Sequence, residues 1–230
     1  NNAHRGRRRA RQELTLGSEL PDPVLVRSYA LNELGGEPQF SDFARAGRYD
    51  LLVSGRELKA VTAEGEALWT LPEQVREIVF SREATDEGRL LYAMTGTRSM
   101  ATQSPVTGGP ERTHTISDEM LVIRGRDGAV LARRRLPMMD PDAYIAAFTT
   151  TSGNLSGRGG TDIVLREWLR HDAGSGSNVW AFDRDLELLW HRQVGVHYGH
   201  AWSLQFCDVD GDGRDELLAG GTLFSAAGEV

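Results

Sequence analysis

The sequence predicts an all-β chain, a β-propeller built from four-stranded antiparallel blades. Three observations carry that expectation. An acidic, glycine-rich stretch at Cys207–Gly221 (CDVDGDGRDELLAGG) has weaker copies upstream. A hairpin of alternating apolar and polar residues follows each copy, and no segment reads as a helix. Units of strand, loop, strand and hairpin, repeating at ~40–50 residues, are the sequence pattern of a propeller. About four blades are expected, near 38–71, 75–135, 143–192 and 200–230.

Residues 1–23 come first as a disordered basic arm. Arg5, Arg7, Arg8, Arg9 and Arg11 crowd its start, and such a run is either a solvated arm or a polyanion contact. Pro21 and Pro23 mark a boundary, after which residues 24–230 form the propeller, with Val24–Leu31 (VLVRSYAL) as a strand. The acidic copies then set the blades. Laid on Asp208–Gly221 without a gap, Asp42–Gly55 places Asp42 on Asp208, Gly47 on Gly213 and Asp50 on Glu216. Asn154–Leu165 places Asn154 on Asp208, Ser156 on Asp210, Gly159 on Gly213 and Asp162 on Glu216. The step from Asp42 to Asn154 is about twice that from Asn154 to Asp208, so a further copy belongs between them. Glu83–Met94 is the candidate, although its acidic alternation is lost.

The hairpins read LKAVTAEGEALWT (58–70), MLVIRGRDGAVLARR (120–134), NVWAFDRDLELLWHR (178–192) and TLFSAAGEV (222–230). Alternation across a tight turn is a hairpin signal. Trp69 and Trp190 hold the same place in it, so they and Trp180 are expected in packing between or within blades. An insert at Thr97–Asp118, rich in Ser, Thr, Gly and Pro, is expected as a surface loop. The last copy stops within its hairpin. The expectation is a fragment of a larger propeller, with a four-bladed ring as the alternative.

The acidic stretch also carries the chemistry. Asp208, Asp210 and Asp212 stand at alternate positions, Gly213 follows, Arg214 offers a backbone carbonyl, and Glu216 closes a nine-residue loop. Oxygen donors in this spacing suit Ca²⁺, which takes six to eight oxygens. Position 12 of the count from Asp208 is Ala219, which excludes the closing glutamate of an EF-hand. An acidic surface turn without metal is the competing reading. The four ligand carboxylates of this nine-residue loop repel one another unless a cation lies among them, which favours Ca²⁺. The copies are poorer. Ala44 and Ala46 replace ligands in one, and Arg158 stands at a ligand position in another. Arg158 is expected either to pair with Asp162 in place of an ion or to point to solvent.

Other chemistry is thinner. His197, His200 and Trp202, in HYGHAW, are candidates for a ligand-facing patch; packing on the blade ends is the alternative. His171 and Asp172 lie in a Gly/Ser-rich loop, and Ser175 and Ser177 lack a G-x-S-x-G setting. No catalytic residue is assigned. A formal charge of −7 argues against a nucleic-acid partner. No apolar run reaches the ~18–20 residues of a membrane span. Cys207 is the only cysteine, which excludes an internal disulfide, and Asn1–Gln12 lacks the apolar core of a secretory signal.

The stretch GHAWSLQFCDVDGDGRDELLAGG, taken with the hairpin AFDRDLELLW, resembles two related groups. One is the FG-GAP/VCBS repeat of integrin-like β-propellers; the narrower one is the family-eleven rhamnogalacturonan lyases. The first implies a calcium-stabilised module, extracellular, cell-surface or periplasmic, that binds a protein or glycan ligand without catalysis. The second implies part of a calcium-dependent polysaccharide lyase working by β-elimination. Such a lyase needs a cation for the uronate carboxylate, a base for the α-proton and an acid for the leaving oxygen.

Overall fold

The computed structural model describes residues 37–45, 47–86, 88–102, 112–136, 145–159, 161–169, 177–194, 204–219 and 221–230. The basic arm, the strand expected at Val24–Leu31 and the HYGHAW segment lie outside them. The described residues are all-β. Four antiparallel sheets follow one another along the chain, each with its strands in sequence order. The first holds β1 (Glu37–Arg45), β2 (Arg48–Ser54), β3 (Leu58–Val61) and β4 (Ala67–Leu71). The second holds β5 (Val75–Phe80), β6 (Leu90–Thr102), β7 (Arg112–Arg124) and β8 (Val130–Arg135). The third holds β9 (Ile145–Gly153), β10 (Asp162–Leu169), β11 (Ser177–Phe182) and β12 (Leu188–Val194), and the last β13 (Leu204–Cys207), β14 (Glu216–Ala219) and β15 (Thr222–Phe224).

The repeat read from the sequence is a repeat of burial. Leu51, Leu91, Ile163 and Leu217 sit at matching places in the second strands, and each is fully buried. The second strand of a sheet has neighbours on both edges and apolar layers on its faces. Those layers lie between successive sheets. Phe43, Leu52, Leu58 and Trp69 of the first sheet meet Leu91, Leu121 and Ile123 of the second. Tyr92, Met94 and Met120 meet Ile163, Leu165 and Trp180 of the third. Val164, Val179 and Trp190 meet Leu204, Leu217 and Phe224 of the last. The first strands also touch: β5 packs on β9, and β9 on β13.

Hairpin turns lock this stacking. Trp69 donates its indole N–H to Gly125 O of the next sheet's turn at 2.8 Å, and Trp190 does the same to Ala226 O at 3.0 Å. Gly128 and Gly228 permit it, since a Cβ at either would lie 2.7 Å from the indole. The second sheet has Ala132 at the tryptophan's place in the repeat, and there the Tyr92 hydroxyl donates to Arg184 O of the third sheet's turn at 3.0 Å. Burial raises the Tyr92 phenol well above its ordinary pKa, so it remains a donor. Leu186 takes the turn position filled elsewhere by glycine. It accepts φ 63° while its side chain is buried in the layer between the second and third sheets.

The insert departs from expectation. β6 and β7 stay paired from Gly96/Ser117 to Thr102/Arg112, so most of it is a two-stranded ribbon rather than a loop. Thr113, Thr115 and Ile116 are β-branched and favour extended backbone, a preference hidden by the segment's Ser/Thr/Gly/Pro content.

Candidate metal site and the loops around it

The acidic loop joins β13 to β14, two strands, as the missing EF-hand glutamate implied. Gly211 (φ 80°) and Gly213 (φ 86°) turn it through the left-handed region, where a Cβ is strained. The loop's own N–H groups orient the carboxylates. Asp208 accepts from Gly211 N–H at 2.7 Å and from Gly213 N–H at 3.1 Å. Asp210 accepts from Asp212 N–H at 3.0 Å, and Glu216 accepts from Val209 N–H at 2.7 Å across the loop. Asp208, Asp210 and Glu216 thereby bring one carboxylate oxygen each within 4.8 Å of one another. No ion pair of these three is found among the described residues. Asp212 stands outside the group, its carboxylate accepting from Arg214 N–H at 2.7 Å. The Arg214 side chain leaves the loop and lies against Gly157. The donor set is hard, anionic and solvent-facing, and it fits a Ca²⁺-sized cation better than a transition metal.

The copy at Asn154–Asp162 has the same backbone. Gly157 (φ 69°) and Gly159 (φ 66°) match Gly211 and Gly213. Its side chains solve the charge problem differently: of the two outcomes expected for Arg158, the pair with Asp162 is not formed and the side chain is largely exposed. Ser156 satisfies both Asp162 oxygens, through its N–H at 2.6 Å and its hydroxyl at 3.1 Å. Arg158 instead points toward Asp183, 3.9 Å away. Two hydrogen bonds from a neutral residue within the loop thus occupy both oxygens of that carboxylate.

An arginine does fill the place of a cation, but in the first sheet. There the chain makes a bulged hairpin, with Arg45 opposite Arg48, rather than an open loop. Arg89, from the second sheet, grips Asp42 with both arms of its fork, Nε to Oδ1 at 2.7 Å and Nη2 to Oδ2 at 3.1 Å. The same guanidinium donates to Ser81 O at 2.8 Å and Arg82 O at 2.5 Å. Its hydrogen bond to Asp42, reinforced by charge attraction, holds that carboxyl below the ordinary aspartate range.

Arg89 exposes a rule the sequence reading missed. The residue just before the second strand reaches back to the preceding sheet. Arg89 N–H also donates to Phe43 O at 2.8 Å. Thr161 Oγ1 accepts from Arg82 N–H at 2.8 Å and donates to Glu83 at 3.1 Å. Asp215 N–H donates to Asn154 O at 2.9 Å. The residue types are unlike, so no repeat in composition betrays them. The available signal was their fixed place one residue ahead of the buried strand.

No protein-family model matches the sequence, and no curated protein matches it. Among solved structures, the exotype rhamnogalacturonan lyase YesX aligns with a TM-score of 0.56 at 17% identity, over 84% of this chain and 40% of that one. The rhamnogalacturonan lyase YesW aligns with a TM-score of 0.56 at 16% identity, over 84% of this chain and 41% of that one. At that identity the likeness is one of fold. The chain spans about two fifths of the length of either lyase. The Dos1 propeller aligns only at a TM-score of 0.29 and carries no weight. Among the described residues, no helix is long and apolar enough to cross a membrane.

Proposed function

We propose that the chain is a calcium-stabilised β-propeller module that binds a carbohydrate or protein ligand, with Ca²⁺ held in the Asp208–Glu216 loop. The observation that carries the metal is the convergence of Asp208, Asp210 and Glu216 without an ion pair among the described residues. Asp212 and the Arg214 carbonyl are the further ligands in this reading. The propeller is supported by sheets layered face to face in chain order, with the first strands of the last three in contact. The acidic loop and its copies are then FG-GAP/VCBS-type repeats, and millimolar extracellular calcium suits such a loop. His197, His200 and Trp202 are the ligand-facing patch, where an aromatic face and imidazoles suit a sugar.

The fold shared with YesX and YesW favours a glycan over a protein and supports a second reading, part of a rhamnogalacturonan-type lyase. In that β-elimination the proton beside the uronate carboxylate passes to a base. The bond to the leaving oxygen breaks, a carbon–carbon double bond forms, and an acid protonates the leaving group. Thermal unfolding in EGTA and in millimolar calcium, with wild type and Asp210→Ala, tests the metal. A calcium-dependent rise in midpoint that is absent from the variant is expected; identical midpoints in all four conditions would remove it. Ultraviolet absorbance on incubation with rhamnogalacturonan separates the two readings, because only a lyase produces the unsaturated uronate.

A further inference from the structure

We propose that Asp215, Asn154 and Arg82 form a latch that couples cation binding in the Asp208–Glu216 loop to the docking of the last sheet on the second and third. Asp215 is a positioning residue in it, not a ligand. The inference rests on the calcium reading above and adds what that ion would control.

Asp215 and Glu216 are adjacent where the chain enters β14, and successive side chains of an extended chain point to opposite sides. Glu216 turns into the loop, to Val209 N–H. Asp215 turns out of it and is buried. Its Oδ2 accepts from Asn154 N–H at 2.7 Å and lies 2.9 Å from Arg82 Nη1. The main chains are joined as well, Asp215 N–H to Asn154 O at 2.9 Å, and the Asn154 side chain donates from Nδ2 to Gly213 O at 2.8 Å. The third sheet therefore grasps the acidic loop at Gly213 and Asp215, and the second sheet grasps it through Arg82. The backbone at 213–216 that the latch requires is the backbone that brings Glu216 to Asp208 and Asp210. A cation that fixes one fixes the other. By linkage, the latch must then raise calcium affinity by the factor with which calcium stabilises the latch.

Two variants, Arg82→Gln and Asn154→Ala, separate this from simple charge effects, and Asp215→Asn tests the acceptor itself. Arg82→Gln removes a positive charge near an anionic loop, so electrostatics alone would tighten calcium binding; the latch requires it to weaken. Asn154→Ala changes no charge and leaves every carboxylate in place. Asp215→Asn keeps the shape but weakens the acceptor. Calorimetric titration with calcium is expected to give a dissociation constant raised about tenfold in each, the low end of the effect of residues that orient metal ligands. Hydrogen exchange on the wild-type chain needs no variant. Calcium should slow exchange at the Asn154 and Asp215 amides at least tenfold and leave Leu52 and Ala60, in the first sheet, unchanged. Binding in Arg82→Gln as tight as wild type or tighter, or protection confined to 208–214, would overturn the latch while leaving the metal site intact. A wild-type chain that takes up no calcium would overturn the metal reading and the latch together, so the two failures are distinguishable.

Discussion

The joint between the first two sheets and the joint between the last two use the same tryptophan and solve the same charge problem in opposite ways. At the first, Trp69 caps the next turn and Asp42 meets a guanidinium supplied by the protein. At the second, Trp190 caps the next turn, yet Asp208, Asp210 and Glu216 gather with no protein cation among the described residues. One joint is complete in the polypeptide. In the proposed reading, the other is completed by a cation from solution. On that reading, stability shared among repeats is made conditional at a single interface, by exchanging an arginine for a glycine-rich acidic loop.

If the tryptophans are equivalent, Trp69→Ala and Trp190→Ala should each cost about 3–5 kcal/mol in urea unfolding, with or without calcium. A large inequality between them would break the symmetry of the two joints. Calcium at a hundredfold excess over its Kd should add about 2.7 kcal/mol to the wild type and nothing to Asp210→Ala. Arg89→Ala should keep the full calcium response, because its joint does not use the ion. It should itself cost about 2 kcal/mol, the scale of hydrogen bonds to a charged group at a half-buried site. That cost should be the same in EGTA.

Acid should also tell the joints apart. Arg89 lowers the folded-state pKa of Asp42, so the pair's contribution is fully present above the unfolded aspartate value of about 3.9 and is lost as pH falls through the folded value. Unfolding of wild type and Arg89→Ala followed from pH 6 down to about pH 2 should converge at the acid end. The smallest effect belongs to His191, stacked on Trp180 with ring centroids 4.1 Å apart. Burial, with Arg192 nearby, lowers its pKa, so the unfolded chain binds the proton more readily. Stability should therefore be intact above about pH 6.5 and decline below it, and His191→Gln should flatten that slope.

Much of the fold was legible in the residues. The unit of strand, loop, strand and hairpin follows from glycines at fixed places and from period-two alternation, both local properties of the chain. The acidic spacing of Asp208, Asp210 and Glu216 was legible for the same reason: a loop that supplies most of its own hydrogen bonds is written in contiguous sequence. The ribbon at Gly96–Thr102 was not, because its Ser/Thr/Gly/Pro composition resembles a loop until the partner strand fixes the backbone. Which of its two expected places Arg158 takes was not legible, because the choice depends on Ser156 having already satisfied Asp162.

The sequence by itself determined the repeat, its strands and the gathering of carboxylates, since each is set by neighbours a few positions away. Only the tertiary structure decided which charges meet. Arg89 reaches Asp42 across 47 positions and Asn154 reaches Asp215 across 61, between sheets that hydrophobic layers press together. Hydrophobic burial sets those distances and is indifferent to charge. Electrostatics then selects partners from whatever the packing has brought within reach, and no local pattern records that choice.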